Sequence, residues 1–181
     1  MLTLQFLEQY LKPAEPVVDF GANGSEILGA LHRLGFRNLH GVDLEPDVVR
    51  GPYAGSIRYY VQDFMHTSYA DSSFAAITAI SAVEHGLDVS RLLSEVFRLL
   101  RPGGYFIGST DYWPKKIDTD GIKLYGLDWI IFDEEEMRGF VAEARRIGLE
   151  LVGDADYVAE YPLVNVFGKW YTFAWFALRK I

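Results

Sequence analysis

Short apolar runs alternate along this chain with segments of helical periodicity. The runs at 17–20, 39–43 and 74–80 are brief and rich in Val, Ile and Phe, which predicts buried strands. Leu and Ile recur at helical spacing over 27–34 and again over 92–100. The nearly unbroken apolar character of 74–80 is typical of a parallel strand that is covered on both faces. The pattern therefore predicts an α/β domain.

The remaining periodic segments complete this prediction. Asp133 with Glu136 predicts a capping box at a helix start, and Arg101-Pro102-Gly103-Gly104 predicts the end of the preceding helix. Further elements are expected as helices at 4–11 and from Asp133, a short helix starting at Pro46, and strands at 57–61, 105–110, 150–152 and 170–178.

Two of the predicted strands end in a carboxylate. Asp19 closes the first apolar run, and Gly21 and Gly24 after it allow a sharp turn and a close approach of a ligand. Asn23 between them is a residue that tolerates a left-handed conformation. Asp43 closes the next strand, where an acidic side chain can accept hydrogen bonds from ribose hydroxyls. This strand, glycine turn, helix and second strand together are typical of the nucleoside-binding part of an α/β domain.

The same turn argues against a dinucleotide. The dinucleotide fingerprint requires glycines at three positions that are occupied here by Gly21, Asn23 and Glu26. The Glu26 carboxylate would also face a pyrophosphate. A nucleoside cofactor without phosphate fits better.

Composition narrows the class of protein. The chain has 181 residues, half of them hydrophobic, no cysteine and a formal net charge of −8. We expect a single domain over 1–181, without a membrane span or signal peptide and located in the cytoplasm. The negative charge argues against nucleic acid as the main partner. The aromatic residues of the last strand are expected in the sheet core or at a contact between two copies. A homodimer is therefore one of the alternatives.

The stretch from Val17 to Ser25 resembles motif I of the class I S-adenosylmethionine-dependent methyltransferases, whose usual form is apolar-apolar-Asp-x-Gly-x-Gly-x-Gly. Asp19 and Gly21 match this motif. Asn23 and Ser25 stand where the family usually has glycines, and Gly24 is displaced by one position.

The middle of the chain extends the resemblance. A fourth strand ending in Glu84-His85, a helix ending in Leu-Arg-Pro-Gly-Gly and a fifth strand are similar to small, type 11-like members of the family. The likeness covers roughly 16–110 and, more loosely, the rest. It implies a Rossmann-like sheet of seven mostly parallel strands, with helices on both faces and an antiparallel last strand.

The resemblance also implies which residues hold S-adenosylmethionine. Asp63 would accept from the adenine amino group, with Phe64 as a ring contact, although Asp63 could be an ordinary turn residue. Leu44 would pack on adenine or belong to the core, and Ser81 would contact the methionine portion. The full expected set of cofactor residues is Asp19, Gly21, Asn23, Gly24, Asp43, Leu44, Asp63, Phe64 and Ser81.

Three residues are candidates for catalysis. His85 follows the fourth strand and is the first candidate for a general base, because imidazole titrates near neutral pH. A purely structural role for His85 stays open. Glu84 could hold the histidine or the substrate, and Asp111 is the second candidate base.

The long connection at 111–131 follows the carboxyl end of a strand, where open α/β sheets bind ligands. It is rich in aromatic residues, which we expect to form a wall around the substrate. The expected members are Tyr112, Trp113, Tyr125 and Trp129. No metal site is expected, since the histidines lack metal-like spacing.

The sequence thus predicts methyl transfer from S-adenosylmethionine to a small-molecule acceptor, with O-methylation preferred over N- or C-methylation. One alternative is a non-catalytic nucleoside-binding or interaction module of the same fold, suggested by Asn23 and Ser25. Another is an aminopropyl transferase, which would need additional acids to hold a polyamine.

Overall fold

A mixed β-sheet forms the centre of the molecule in a computed structural model that describes residues 2–181. Four α-helices and one 3₁₀ helix accompany it: α1 Leu2–Tyr10, α2 Ile27–Arg33, the 3₁₀ helix Pro46–Arg50, α3 Val89–Leu99 and α4 Glu134–Arg146. The strands are β1 Val17–Phe20, β2 Leu39–Asp43, β3 Arg58–Val61, β4 Phe74–Ile80, β5 Leu100–Tyr112, β6 Lys123–Leu124, β7 Leu127–Asp128, β8 Leu149–Leu151, β9 Val164–Val166 and β10 Lys169–Lys180.

The order of strands confirms the predicted fold class. The sheet runs β3-β2-β1-β4-β5-β10-β8, with β9 paired to β10. In the order β3-β2-β1-β4-β5 neighbouring strands are parallel, and β10 is antiparallel to both β5 and β8. The chain order reverses between β1 and β4, so a crevice forms beyond their carboxyl ends.

Burial explains why the central strands are almost purely apolar. Every residue of β1 is buried, as are the first six of β4, because helices cover both faces of the sheet. One hydrophobic cluster packs Phe20 and Phe106 against Leu92 of α3 and Phe140 of α4. A second cluster lies on the opposite face under α1 and α2.

The capping box predicted at Asp133 is confirmed. Asp133 accepts a hydrogen bond from the amide of Glu136 at 2.8 Å, and the Glu136 carboxylate accepts one from the amide of Asp133 at 2.9 Å. Asp88 caps α3 by accepting from the amide of Arg91. No helix within 2–181 is both long enough and apolar enough to cross a membrane.

The structure corrects the expected boundary between α3 and the fifth strand. We expected 101–104 to end the helix and the strand to begin at Tyr105, but β5 begins at Leu100, directly after the helix. Leu100 pairs with Phe74, and the register then shifts, so the extra residues form a bulge within the strand. Gly103, with φ of +78°, supplies the conformation that this bulge needs.

The sheet also has one strand more than the seven expected. Phe167 and Gly168 both have positive φ and connect β9 to β10 through a two-residue turn, which makes 164–166 a strand rather than a connection. The segment 111–131 likewise contains a hairpin, β6–β7.

Close packing between β5 and β10 yields a stability prediction. A Cβ atom at Gly108 would overlap the buried ring of Phe176, so Gly108→Ala should lower the free energy of unfolding by about 1–3 kcal/mol. Gly139 on α4 has open space around its Cα, so Gly139→Ala should raise it by about 0.5–1 kcal/mol through helix propensity. Urea unfolding of both variants measures the difference, and equal stabilities would contradict this account of the packing.

Candidate active site

A cavity of about 420 Å³ opens at the carboxyl ends of β1, β2 and β4. The turn after β1 lines its floor with Gly21 and Gly24, and Asp43 lines the side next to β2. The opposite side is formed by His85, beyond β4, and by Tyr125 from the β6–β7 hairpin. The cavity therefore lies where the strand order reverses.

The turn after β1 requires glycine at two positions. Gly21 has φ of +72°, and a Cβ atom there would come within 2.6 Å of the Cβ of Ala82. Gly24 has φ of +77° and takes the left-handed position, whereas Asn23 keeps an ordinary negative φ. The backbone of the turn thus stays close to β4 and leaves the space above it open.

Asp43 is fixed at the edge of the cavity by two backbone amides. Its Oδ2 accepts a hydrogen bond from the amide of Asn23 at 3.0 Å, and its Oδ1 accepts one from the amide of Glu45 at 2.9 Å. Each carboxylate oxygen keeps a further acceptor position, and the side chain is only half-buried. The carboxylate is therefore held in place and can still accept from a ligand.

Asp19 lies beneath the turn and is not part of the cavity wall. Its side chain is fully buried, and Oδ1 accepts from the Thr78 hydroxyl at 2.6 Å. Oδ2 has no hydrogen-bond partner within residues 2–181. Burial, together with the neighbouring Asp43 charge, raises the pKa of Asp19 to about 6.

His85 and Tyr125 meet at the far side of the cavity. Their rings are 5.3 Å apart between centroids, with an interplanar angle of 87°. His85 is half-buried, and its Nδ1 has no partner among the described residues. Burial lowers the pKa of His85, so its imidazole is neutral at pH 7 and can accept a proton.

The segment 128–132 fills the space between the ends of β4 and β5. The amide of Ile130 donates to the carbonyl of Glu84 at 3.0 Å, and the amide of Phe132 donates to the carbonyl of Asp111 at 3.0 Å. The segment pairs through isolated β-bridges at Trp129 and Phe132 rather than as a regular strand. We call 128–132 the added strand; it fixes the β6–β7 hairpin over the cavity. It also fixes the backbone beside His85.

The added strand is anchored by a buried carboxylate. The indole N–H of Trp129 donates to Oδ2 of Asp111 at 2.8 Å, and the Tyr171 hydroxyl lies close to the same carboxylate. Burial raises the pKa of Asp111, and burial with repulsion from Asp111 raises the pKa of Glu84 to about 8. Glu84 is thus protonated at neutral pH.

Comparison with known proteins identifies the family. A family model described as "Methyltransferase domain" matches residues 18–108, half of the chain. The chain belongs to the class I S-adenosylmethionine-dependent methyltransferase family. S-adenosylmethionine is accordingly the cofactor of this methyltransferase, and the glycine turn, the fixed Asp43 carboxylate and the apolar cavity wall suit an adenosine without phosphate.

Two relatives of this methyltransferase match part of the chain. It is 34% identical over 100 residues to the ribosomal protein L11 methyltransferase of Cupriavidus necator, covering 55% of this chain and 30% of that protein. It is 38% identical over 58 residues to the sterol 24-C-methyltransferase erg-4 of Neurospora crassa, covering 32% of this chain and 15% of that protein. The matches thus span less than a third of either relative.

Solved structures share the fold of the methyltransferase over nearly its full length. An S-adenosylmethionine-dependent methyltransferase from Mesorhizobium loti has a TM-score of 0.70 and 18% identity, covering 99% of this chain and 98% of that chain. The geranyl diphosphate C-methyltransferase of Streptomyces coelicolor has a TM-score of 0.75 and 17% identity, covering 99% and 79%. At this identity the likeness shows the fold alone.

The cofactor residues predicted from the methyltransferase motifs divide into two groups. Leu44, Phe64 and Ser81 line the cavity with the glycine turn and Asp43. The ring of Phe64 stacks on that of Phe20, at 5.2 Å between centroids. Asp63 does not line the cavity, because its carboxylate accepts from the amide of Met65 at 2.8 Å and from Arg91 at 3.3 Å.

The predicted catalytic and aromatic residues divide in the same way. His85 and Tyr125 line the cavity, whereas Glu84, Asp111 and Trp129 lie buried behind its wall.

The other two aromatic residues of the expected wall lie elsewhere. The Tyr112 hydroxyl donates to the carbonyl of Tyr157 at 2.6 Å, so it borders a different cleft. Trp113 packs in a small cluster with Ile117 and Ile122. Side chains alternate between the two faces of a strand, so neighbours after one strand end need not share a site.

Seven residues of the cavity wall were not predicted as site residues, namely Ser25, Glu26, Ile27, Glu45, Ile80, Ala82 and Leu127. Glu26 and Glu45 line it at the ends of the glycine turn and β2, and Leu127 lines it from the hairpin. The Tyr125-Gly126 pair, flanked by short polar–apolar segments, is the sequence signal that could have located this hairpin.

The raised pKa of Glu84 makes stability depend on pH. Between pH 6 and 8 the folded protein retains a proton that the unfolded chain has released, so the free energy of unfolding should fall as pH rises. One such group contributes a slope of at most about 1.4 kcal/mol per pH unit. Glu84→Gln should flatten the slope in this range, as measured by urea unfolding at several pH values.

The exposed Glu8 on α1 provides the control for this prediction, because Glu8→Gln should leave the slope unchanged. Asp19, with a pKa of about 6, acts mainly at lower pH and does so in every variant. Parallel curves for the wild type and Glu84→Gln would show that Glu84 is not protonated in the folded state.

Proposed function

We propose that this methyltransferase transfers a methyl group to a hydroxyl group of a small-molecule acceptor. One observation carries the proposal: a single cavity joins the glycine turn and Asp43 on one side to His85 and Tyr125 on the other. Its volume of about 420 Å³ is within the range of small-ligand sites. The absence of cysteine supports action in the cytoplasm.

The cofactor half of the cavity would hold S-adenosylmethionine through residues of the turn and of β2. Asp43 would accept hydrogen bonds from the ribose hydroxyls, and the apolar side chains of Leu44 and Phe64 would border adenine. The Ser81 side would receive the methionine portion. When bound, the cofactor supplies a methyl group on a sulfonium, which is a good leaving group, so alignment and exclusion of water are the main tasks of the protein.

His85 would act as the general base for the acceptor hydroxyl. It lines the cavity, and the lowered pKa of its imidazole keeps it able to take up a proton at neutral pH. Asp111 is the weaker candidate, because its carboxylate is engaged by Trp129 behind the wall. We assign to Asp111 and Glu84 the positioning of the added strand and of the backbone at His85.

Tyr125 and Leu127 would border the acceptor. Both lie on the hairpin that closes one side of the cavity, and the Tyr125 ring contacts that of His85. Residues Tyr112, Trp113 and Trp129 would then support this wall from behind or lie outside it.

Incubation with labelled S-adenosylmethionine tests the proposed function. The panel should contain hydroxylated metabolites, amines and, because of the relatives named above, ribosomal protein L11. Label on a hydroxylated small molecule supports the proposal. Label on the protein alone would contradict it. Failure to bind S-adenosylmethionine by calorimetry would favour a non-catalytic module instead.

Removal of the Asp43 charge should weaken cofactor binding. Asp43→Asn loses a charge-assisted acceptor for the ribose hydroxyls, so the dissociation constant for S-adenosylmethionine should rise by about 10- to 100-fold. Calorimetry measures this change. Asp47→Asn, in the exposed 3₁₀ helix nearby, is the matched control and should stay within about twofold of the wild type, since Asp47 only pairs with Arg50 at the surface. Equal affinities for the two variants would refute the ribose assignment.

Replacement of His85 should slow catalysis without affecting the cofactor. His85→Gln should lower kcat for a hydroxyl acceptor by about 10²- to 10⁴-fold, with cofactor affinity nearly unchanged. In the wild type, kcat/KM should rise with pH through an apparent pKa below the usual value for histidine, because burial lowers the pKa of His85. His66→Gln, at an exposed site, serves as the control. A kcat retained in His85→Gln would assign His85 a structural role.

A further inference from the structure

The outer side of the β9–β10 hairpin carries apolar side chains where a surface strand usually carries polar ones. Exposure alternates along 161–167: Val164 and Val166 are half-buried, whereas the side chains between and beside them are exposed. Tyr161, Leu163 and Phe167 are each about two-thirds exposed. A strand that is apolar on both faces is typical of one that is covered on both sides.

Only the inner face of this strand is covered within one copy of the chain. Val164 and Val166 pack against the small cluster that contains Trp129 and Tyr171. Side chains alternate between the two faces of a strand, so the exposed row points away from this cluster. No residue of 161–170 lines the cavity of the candidate active site. The outer face is therefore a separate surface.

Trp170 extends this outer face from β9 to β10. It pairs with Asn165 and is 58% exposed, so its indole lies beside the β9 row. The outward apolar side chains are those of Tyr161, Leu163, Phe167 and Trp170. At about 200 Å² for a large side chain, these residues together expose about 500 Å². Two such faces would bury about 1,000 Å², which is sufficient for a specific protein–protein interface.

Phe167 has an unfavourable backbone conformation that brings no benefit within one copy. Its φ is +49° in the two-residue turn with Gly168, where Asn is the usual residue. Its ring is 68% exposed and belongs to none of the hydrophobic clusters that residues 2–181 form. A strained, exposed aromatic residue indicates a contact outside the single copy.

The chemistry of Asn165 suits contact with an identical copy. It is the polar residue in the middle of the outer row, and a side-chain amide both donates and accepts hydrogen bonds, so two Asn165 side chains can pair with each other. Leu163 and Phe167 lie two residues to either side. In an antiparallel arrangement about a two-fold axis at Asn165, Leu163 of each copy faces Phe167 of the other. The row 161–167 contains no charged residue, so it offers no ion pair to a charged partner.

We propose that the outer face of the β9–β10 hairpin joins two copies of this chain in a symmetric dimer, with the two-fold axis at Asn165. The contact buries the outward apolar side chains described above. It covers no residue of the cavity lining, so the inference goes beyond methyl transfer and does not depend on the acceptor.

Sedimentation velocity over a concentration series tests the proposal. An interface of about 1,000 Å² predicts a micromolar dissociation constant, so the protein should be monomeric at about 1 µM and largely dimeric at about 200 µM. Each copy carries a formal charge of −8 while the contact is apolar, so about 0.5 M salt should tighten the dimer by screening repulsion. A monomer at every concentration, or a dimer that salt dissociates, would overturn the proposal.

Phe167→Asn separates association from folding. Asn suits the turn, so the melting temperature of the monomer should stay equal or rise, while the dissociation constant of the dimer should rise at least about tenfold. Tyr53→Asn is the matched control, because Tyr53 is also an exposed aromatic residue with positive φ but contacts His32 of α2 instead. The control should keep the wild-type dissociation constant. Unchanged association in Phe167→Asn would contradict the proposed interface.

Two charged variants test the position of the two-fold axis. Asn165→Asp and Asn165→Lys should each be monomeric at about 200 µM, because identical charges would face each other at the axis. An equimolar mixture should form dimers with one copy of each variant, since opposite charges then meet. Native mass spectrometry identifies these dimers by mass. A mixture that stays monomeric, with both variants folded by circular dichroism, would overturn the arrangement.

Flotation with phosphatidylcholine vesicles distinguishes a second copy from a lipid surface as the occupant of this face. The proposal predicts that the protein does not float with the vesicles. If the protein stays monomeric at about 200 µM, floats with the vesicles and loses this binding in Phe167→Asn, the face contacts lipid and the dimer is refuted.

Discussion

The hydrogen bond from the Trp129 indole to the buried carboxylate of Asp111 stabilises the His85 side of the cavity. A hydrogen bond to a charged group contributes about 1.5–3 kcal/mol, and a buried carboxylate without it would be costly. Through this bond the segment 128–132 stays between the ends of β4 and β5. The position of the hairpin, and therefore one wall of the cavity, depends on it.

Buried acids form a layer under the cavity. Asp19, Glu84 and Asp111 are each almost fully buried, and the pKa of each is raised by that burial. Ionisation of such buried groups destabilises the folded state, so the free energy of unfolding is lower at higher pH. These acids lie next to the turn, to His85 and to the added strand. The destabilisation that they cause therefore falls on the residues that support the cavity.

Much of the fold could be predicted because its signals are local. The run at 74–80 coincides with β4, and the Asp133–Glu136 capping box is present in full. The strand at 128–132 could not be predicted, since its partners at Glu84 and Asp111 are far away in sequence. The site residues likewise divide into those that local sequence could locate and those that depend on distant contacts. Asp43 is the last residue of β2 and lines the cavity, but Asp63, two residues beyond the end of β3, binds Arg91 instead.

The two-residue turn at Tyr125-Gly126 borders the cavity without taking part in the packing of the core. The turn projects from the domain, touches the cavity with one ring, and contributes nothing to the two large hydrophobic clusters. Substitutions at this tip can therefore accumulate without endangering folding, while the glycine turn stays constrained by Ala82. If the hairpin borders the acceptor, as we propose, acceptor preference can change through substitutions at its tip while the glycine turn that lines the rest of the cavity is retained.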